Sequence, residues 1–227
     1  MANAEIVAIG SELLLGQIAD TNSAWMAKKL TEIGVDLYFK TVVGDNPDRM
    51  REVLERALSR ADVVITSGGL GPTKDDITRQ IVSDVTKRKL ITDQNLVDQM
   101  KTRFQKRGLV MTRNNERQAL IPEGATIVNN PNGTAPSFIV DDSSISIFCL
   151  PGVPFELKWL FENEVVPYLR EKFKLSEVIL YKVLKVAGMG ESNVDELIGH
   201  LMETSNNPTV GVLAHPGQVD IRITAKS

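Results

Sequence analysis

Apolar and polar positions along the first half of the chain alternate between strand and helix periods. Ile6-Val-Ala-Ile9 is an apolar run too short for a helix, and it stops at Gly10, as a strand buried on both faces does. Past a loop, Asp20-Thr21 offers a helix cap; Met26, Leu30 and Ile33 then repeat at i, i+4 and i+7 until Gly34. Val35, Leu37 and Phe39 alternate with polar partners and predict a second strand. Asn46-Pro47 reads as an N-cap followed by proline at the first helical position, and Met50, Val53, Leu54, Ala57 and Leu58 give that helix one apolar face. Val63-Val-Ile65 predicts a third buried strand running straight into Ser67-Gly-Gly-Leu-Gly-Pro72.

Strand-helix-strand-helix-strand implies βαβ units and a parallel sheet with helices on both faces. Helices over 76–86 and 94–107, short strands near 125–128, 137–140 and 145–150, and a helix over 154–172 complete a three-layer α/β domain. From about residue 173 the pattern changes. Val178 to Val186 reads as a strand, Glu191 to Glu203 as a helix, and Val210–Leu213 with Val219–Ile223 as a hairpin across His215-Pro-Gly-Gln218. The expected division is 1–172 for the α/β domain and 173–227 for a small β-α-β-β piece, an incomplete domain by its size.

Composition narrows the class. The 227 residues carry 26 Lys+Arg against 29 Asp+Glu, with 42% hydrophobic and 24% charged residues. That is ordinary globular composition, not that of a disordered chain, and no stretch approaches the roughly 20 apolar residues of a membrane span. A net charge of −3 argues against broad electrostatic binding to nucleic acid or anionic membrane, so neither is expected as a partner. Cys149, in the apolar run Ile145-Ser-Ile-Phe-Cys-Leu150, reads as a core residue. The N-terminus has neither the basic nor the long apolar region of a signal peptide, and a cytoplasmic location is expected.

The strongest chemical signal is Thr66-Ser-Gly-Gly-Leu-Gly-Pro-Thr-Lys-Asp-Asp-Ile-Thr78. A buried strand feeding a glycine-rich turn ahead of a helix lets backbone N–H groups approach an anion, and the helix N-terminus adds positive dipole. The spacing is neither a Walker loop nor a dinucleotide fingerprint. A tight strand-to-helix turn with Asp75 or Asp76 as N-cap would also use these residues. The paired aspartates add a further constraint. A carboxylate about 4 Å from a phosphate oxygen repels it by roughly 4 kcal/mol at an effective dielectric near 20. A site holding both therefore favours a divalent cation between them, and Mg²⁺ binds through one or two carboxylates plus substrate phosphates.

Three other loops follow strand ends and should meet at the same sheet edge. Gly10-Ser-Glu-Leu-Leu-Leu-Gly16 offers Glu12, Asp20-Thr-Asn-Ser23 offers Asp20, and Val43-Gly-Asp45 offers Asp45. Glu12 and Asp45 are candidate metal or ribose contacts; Asp45 also suits a turn, and Asp20 suits helix capping. Asn129-Asn-Pro-Asn-Gly-Thr-Ala-Pro136 offers Asn132 and Thr134 to a ligand, or is a turn built on Asn-Gly. Glu156, in the first turn of the 154–172 helix, either complements its dipole or faces the site. His200, His215 and the basic cluster Lys101, Arg103, Lys106 and Arg107 read as structural or solvated.

Together these loops resemble the N-terminal domain of the CinA family, the competence/damage-inducible proteins, a branch of the MogA/MoaB molybdopterin-binding fold. The resemblance rests on Gly10-Ser-Glu-Leu-Leu with Asp20-Thr-Asn-Ser, Thr41-Val-Val-Gly-Asp45, Ser67-Gly-Gly-Leu-Gly-Pro-Thr73 with Asp75-Asp76 and Thr78, Asn132-Gly-Thr-Ala-Pro136, and Leu150-Pro-Gly-Val-Pro154 with Glu156. Val210 to Lys226 resembles the family's KH-like region. The resemblance implies an ADP-ribose pyrophosphatase that uses a divalent metal (Mg, Mn or Co), with potassium assisting, and releases AMP and ribose 5-phosphate. It implies Gly68, Gly69 and Gly71 around the diphosphate and Asp75 and Asp76 on the metal or the attacking water. Thr73, Glu12, Asp20, Asn22, Asp45, Asn132 and Thr134 complete the implied pocket, in a homodimer or other homo-oligomer.

Two departures stand out. The family usually has glycine where this chain has Ser137, and the nicotinamide mononucleotide deamidase domain does not follow, so deamidation is not expected. Two alternatives remain. Molybdopterin binding or adenylation fits the superfamily, although MogA-like proteins carry Gly-Gly-Thr-Gly with Arg-Asp where this chain has Gly-Gly-Leu-Gly with Lys74-Asp75-Asp76. The other alternative is a non-catalytic nucleotide-binding module. RNA binding through Gly188-Met-Gly-Glu-Ser192 is disfavoured, because that loop is short and acidic for a KH clamp.

Overall fold

A computed structural model describes residues 2–142, 145–175 and 179–226. Strands β1 (Asn3–Ile9), β2 (Asp36–Val43), β3 (Val63–Ser67), β6 (Thr126–Val128), β7 (Ser137–Asp141) and β8 (Ser146–Leu150) form a six-stranded sheet in the order β2-β1-β3-β8-β7-β6. β1 is parallel to β2 and β3, and β3 is parallel to β8. β7 runs antiparallel to β8, and β6 to β7, because connections this short leave no length for a crossover.

The continuous apolar runs are explained by burial on both faces. In β3, Val63 and Ile65 pack with Met26 and Leu30 of α2 (Thr21–Glu32) and with Leu157 and Leu160 of α6 (Pro154–Leu160). Val64 turns the other way, toward Met50 and Leu54 of α3 (Pro47–Leu58), Ile81 of α4 (Thr78–Val85) and Val97 of α5 (Gln94–Lys106). β8 repeats the alternation with Phe148 and Leu150 on one face and Ile147 and Cys149 on the other. Each such side chain, fully buried, contributes about 1.5–3 kcal/mol. The three-layer expectation is met. The helix expected over 154–172 is continuous through α6, a π-helical stretch at Phe161–Val165 and α7 (Val166–Phe173).

Several short elements escape the periodicity. α1 (Ser11–Leu14), a 3-10 helix at Arg113–Ala119, and the pair β4 (Leu90–Thr92) and β5 (Leu120–Pro122) are each shorter than the period that would reveal them. Toward the C-terminus, β9 (Ile179–Ala187), β10 (Thr209–His215) and β11 (Gln218–Lys226) form an antiparallel sheet in the order β10-β11-β9, with α8 (Glu191–Thr204) against it. Val178, the expected start of the first of these strands, lies outside the described residues. The hairpin turns where expected, at His215-Pro-Gly-Gln218, and its strands extend further. Among the described residues no helix is long and apolar enough to cross a membrane.

Candidate functional site

The connection from β1 leads outward to β2, and the chain then crosses back over β1 to β3 and on toward β8, so a crevice opens at the strand ends where the order reverses. A cavity of about 390 Å³ lies there, walled by the loops after β1, β2, β3 and β8 and the loop before β7. The loops read from the sequence as sharing one sheet edge do share it.

The glycine-rich loop forms one wall. Its carbonyls are tied back into the protein. The Gly68 carbonyl accepts from Thr78 Oγ1 at 2.9 Å, and that of Gly69 from the Thr78 N–H at 3.2 Å. The Leu70 carbonyl accepts from Arg79 Nη1 at 2.9 Å and Gln118 Nε2 at 3.4 Å. In a planar trans peptide the following N–H points the opposite way. The N–H groups of Gly69, Leu70 and Gly71 therefore face the cavity, and none has a partner among the described residues. Consecutive inward amides make an anion-binding concavity. Glycine is required here: Gly68 has φ +111° and a Cβ would lie 2.2 Å from the Ile9 carbonyl oxygen, while at Gly69, with φ +68°, it would lie 2.1 Å from Thr78 Oγ1.

The aspartates do not cap the helix that follows. The N-cap of α4 is Ile77, with no side-chain cap bond. Asp76 Oδ2 instead accepts from the Thr73 N–H at 2.9 Å and from the Thr73 hydroxyl. Thr73 thus stands behind the wall and acts through Asp76. Asp75 is exposed to the cavity, and the neighbouring Thr73 hydroxyl, then its own backbone N–H, hold its carboxyl below the ordinary carboxylate range.

Glu12 and Asp45 also line the cavity. Asp45 Oδ2 accepts from the Ser11 N–H at 2.9 Å and the Ser11 hydroxyl at 2.8 Å, so it fixes the turn that presents Glu12. Thr134 and Glu156 close the far side. Buried Asn130 organises that side: Nδ2 donates to Glu156 Oε2 at 2.6 Å and the Ala135 carbonyl at 3.0 Å, and Oδ1 accepts from the N–H groups of Asn132 and Gly133. Glu156 therefore faces the site, and Gly133 makes room for it, since a Cβ there would lie 1.9 Å from Glu156 Oε2.

Three expected ligand contacts are not on the wall of this cavity. Asn132 is not on the wall, because its N–H is spent on Asn130. Asp20 caps α2 by accepting from the Ser23 N–H at 2.9 Å, and both it and Asn22 border an adjoining cavity of about 100 Å³ that shares Ile9, Glu12 and Gly152 with the first. Asn22 donates to the Gly152 carbonyl at 2.8 Å and so braces the loop after β8. Arg103, read as solvated, instead pins the Asn130 and Gly133 carbonyls at 2.7 and 2.8 Å. Ser137, the departure from the family's glycine, is fully buried at the start of β7 and does not line the cavity.

Glu12, Asp45, Asp75, Asp76 and Glu156 line the cavity, and among the described residues no lysine or arginine does. Beneath the wall lies Arg79, 4% exposed, its pKa lowered to about 10 by burial. Among the described residues no three Asp, Glu, His or Cys side chains could hold a metal by themselves. A hard cation held by one or two carboxylates and completed by phosphate oxygens and water fits this donor set. Cys149 is no nucleophile: burial pushes its thiol up to about 12. Arg79, Arg103, Gln118 and Asn130 are the site-shaping residues that periodicity and motif did not single out.

The chain resembles known proteins over nearly its whole length. Residues 5–171 match the family profile described as "Probable molybdopterin binding domain", and residues 181–227 match "Damage-inducible protein CinA KH domain". Proteins named as competence-damage inducible from Clostridium beijerinckii and Caldicellulosiruptor bescii are each 45% identical, over 99% and 98% of this chain and 54% of theirs. The chain thus spans about half the length of these curated relatives. The crystal structure of the CinA protein of Thermoplasma acidophilum, titled as of unknown function, is 31% identical with a TM-score of 0.67, covering 75% of this chain and 97% of that one. The molybdopterin biosynthesis enzyme MoaB of Thermus thermophilus shares the fold, at 18% identity and a TM-score of 0.52, over 77% of this chain and 96% of its own.

Proposed function

The chain belongs to the CinA family, and on that premise we propose that the cavity is the site of a metal-assisted diphosphate hydrolase acting on ADP-ribose and releasing AMP and ribose 5-phosphate. One observation carries the reading. The inward amides of Gly69, Leu70 and Gly71 are donors for an anion, on a wall that otherwise bears five carboxylates and, among the described residues, no basic side chain. A phosphate entering alone meets that negative wall at roughly 4 kcal/mol per carboxylate about 4 Å away. A phosphate accompanied by a divalent cation does not.

In this reading the amides hold non-bridging oxygens of one phosphate. Asp75 and Asp76 would hold the divalent metal (Mg, Mn or Co), which when bound neutralises phosphate charge and makes its water more acidic, with potassium as an auxiliary cation. Asp76 keeps its orientation through Thr73, and Asp75 stays ionised well below neutral pH. The water oxygen bonds to phosphorus as the bridging P–O bond breaks, and the electron pair leaves with the departing phosphate. The water's proton passes to a cavity carboxylate and on to solvent.

The test is incubation of purified protein with ADP-ribose and Mg²⁺, Mn²⁺ or Co²⁺, with and without K⁺, beside Asp75→Asn and Asp76→Asn variants. AMP from the wild type and not from the variants is expected. A folded protein that releases no AMP with any metal would sink the assignment. A second reading then takes over, favoured by the family description of residues 5–171: the same amides would hold the phosphate of molybdopterin.

A further inference from the structure

The 3-10 helix at Arg113–Ala119 delivers one side chain to the cavity, Gln118, which is 1% exposed and lines the wall beside the glycine loop. Its amide orientation is fixed by chemistry: Nε2 faces the Leu70 carbonyl at 3.4 Å, and a carbonyl accepts only from a donor. The other end, Oε1, is buried and has no hydrogen-bond partner among the described residues. A buried acceptor left unpaired is unfavourable, and a bound donor would relieve it. A phosphate oxygen cannot serve, since an ionised phosphate accepts and does not donate. Nor does any carboxylate of the cavity wall reach Oε1.

We propose that Gln118 Oε1 accepts a hydrogen bond from a sugar hydroxyl of the substrate, so that this site selects diphosphates esterified to a sugar over inorganic diphosphate. The location chooses the hydroxyl. Gln118 touches the loop at Leu70, between the amides that receive phosphate, so the group reaching Oε1 lies within a few bonds of phosphorus. A sugar joined through its primary hydroxyl satisfies that, whereas a nucleobase lies on the far side of its sugar. The selection works by mismatch: a diphosphate with no hydroxyl fills the amides yet leaves Oε1 buried and unpaired. The inference rests on the diphosphate reading of the cavity and adds which ester group that cavity recognises.

The test uses two ligands that cannot be hydrolysed, methylenediphosphonate and the methylene-bridged analogue of ADP-ribose, titrated calorimetrically with Mg²⁺ into wild type and Gln118→Met. The variant is expected to bind the ADP-ribose analogue about tenfold more weakly and methylenediphosphonate within twofold of wild type. A third ligand, the same analogue with 2,3-dideoxyribose in place of the terminal ribose, keeps the test independent of the variant's folding. It should bind wild type about tenfold more weakly than the parent analogue and lose nothing further in Gln118→Met. Equal weakening of all ligands in the variant, or undiminished binding of the dideoxy analogue to wild type, would overturn the assignment of Gln118 alone. Failure of wild type to bind either diphosphonate would overturn the diphosphate reading itself, and Gln118's role with it.

Discussion

Arg79 and Leu70 are joined beneath the glycine loop, where the guanidinium Nη1 donates to the Leu70 carbonyl across 2.9 Å. Nη2 reaches the Pro136 carbonyl at 3.5 Å, so one side chain ties the loop after β3 to the loop before β7. The bond also decides which way the Leu70–Gly71 peptide faces, and hence that the Gly71 N–H is offered to the cavity. Arg79 is buried with Nε unpartnered and no carboxylate in ion-pair range among the described residues, and its charge interacts with that of Asp76 on the cavity wall.

Replacing Arg79 by methionine keeps the bulk and removes both bonds and the charge. The two carbonyls lose partners, at about 1–3 kcal/mol each, partly offset by removal of a buried cation. Unfolding in urea should show a loss of about 2 kcal/mol. The Kd for methylenediphosphonate with Mg²⁺ should rise at least tenfold, and Arg79→Lys, which keeps the charge, should recover part of that affinity. Unchanged affinity in Arg79→Met would show that the charge does nothing for the site.

Gly68→Ala is expected to be among the costliest single-methyl additions in the chain. Its Cβ would meet a backbone oxygen, that of Ile9, at 2.2 Å and with φ +111°, so neither neighbour can give without moving β1. A strained backbone conformation costs about 1–3 kcal/mol before the clash is counted. A stability loss of about 3 kcal/mol or more in chemical denaturation is expected. Gly16→Ala, also at positive φ but with open space around it, should show the conformational part alone, about 1 kcal/mol.

Much of the frame was legible because burial on both faces leaves an unambiguous mark. Val63-Val-Ile65 and Ile6-Val-Ala-Ile9 can be little else than central strands, and the loops leaving them must share an edge. Legibility ended where residues act on backbone atoms rather than through a motif. Arg103 sits in a basic helical stretch that looks solvated, yet its guanidinium finds two carbonyls of a loop almost thirty residues away in sequence. Gln118 follows no period, since a 3-10 segment this short has none. Asp20 shows the limit from the other side. One carboxylate before a helix fits a cap and a ligand contact equally well in sequence, and only the bond to the Ser23 N–H separates them.

Acid stability should register Asp141. Burial alone would raise its carboxyl, but bonds from Lys172, Tyr168 and Ser146 outweigh that and hold it below the usual carboxylate range. A folded-state pKa below the unfolded one means the contribution is complete above about pH 4 and is lost as pH falls through the lower folded value. The pair is partly exposed, so solvent screening limits it to about 1 kcal/mol or less. Asp141→Asn should therefore lower the urea midpoint slightly at pH 7, with the difference from wild type shrinking as pH falls below about 4. A constant difference across that range would assign the loss to packing.

Metal dependence should separate the two aspartates from each other. Asp76 is bound at Oδ2 by the Thr73 backbone, so Asp76→Asn both weakens the metal site and loosens the 71–76 loop. Its loss of turnover should come with a lower thermal midpoint. Asp75 takes no bond from the Thr73 backbone and is held ionised by its surroundings, so Asp75→Asn should lower the midpoint less than Asp76→Asn does while kcat falls about a hundredfold or more. Because Asp75's carboxyl lies below the ordinary carboxylate range, its charge is complete at every pH above about 5. The Mg²⁺ concentration for half-maximal turnover should accordingly vary less than about threefold between pH 5.5 and 8.5. A steep rise in that concentration on acidification within this window would mean that the carboxylate limiting metal binding is another one, and Glu12 and Asp45 across the cavity would be next to replace.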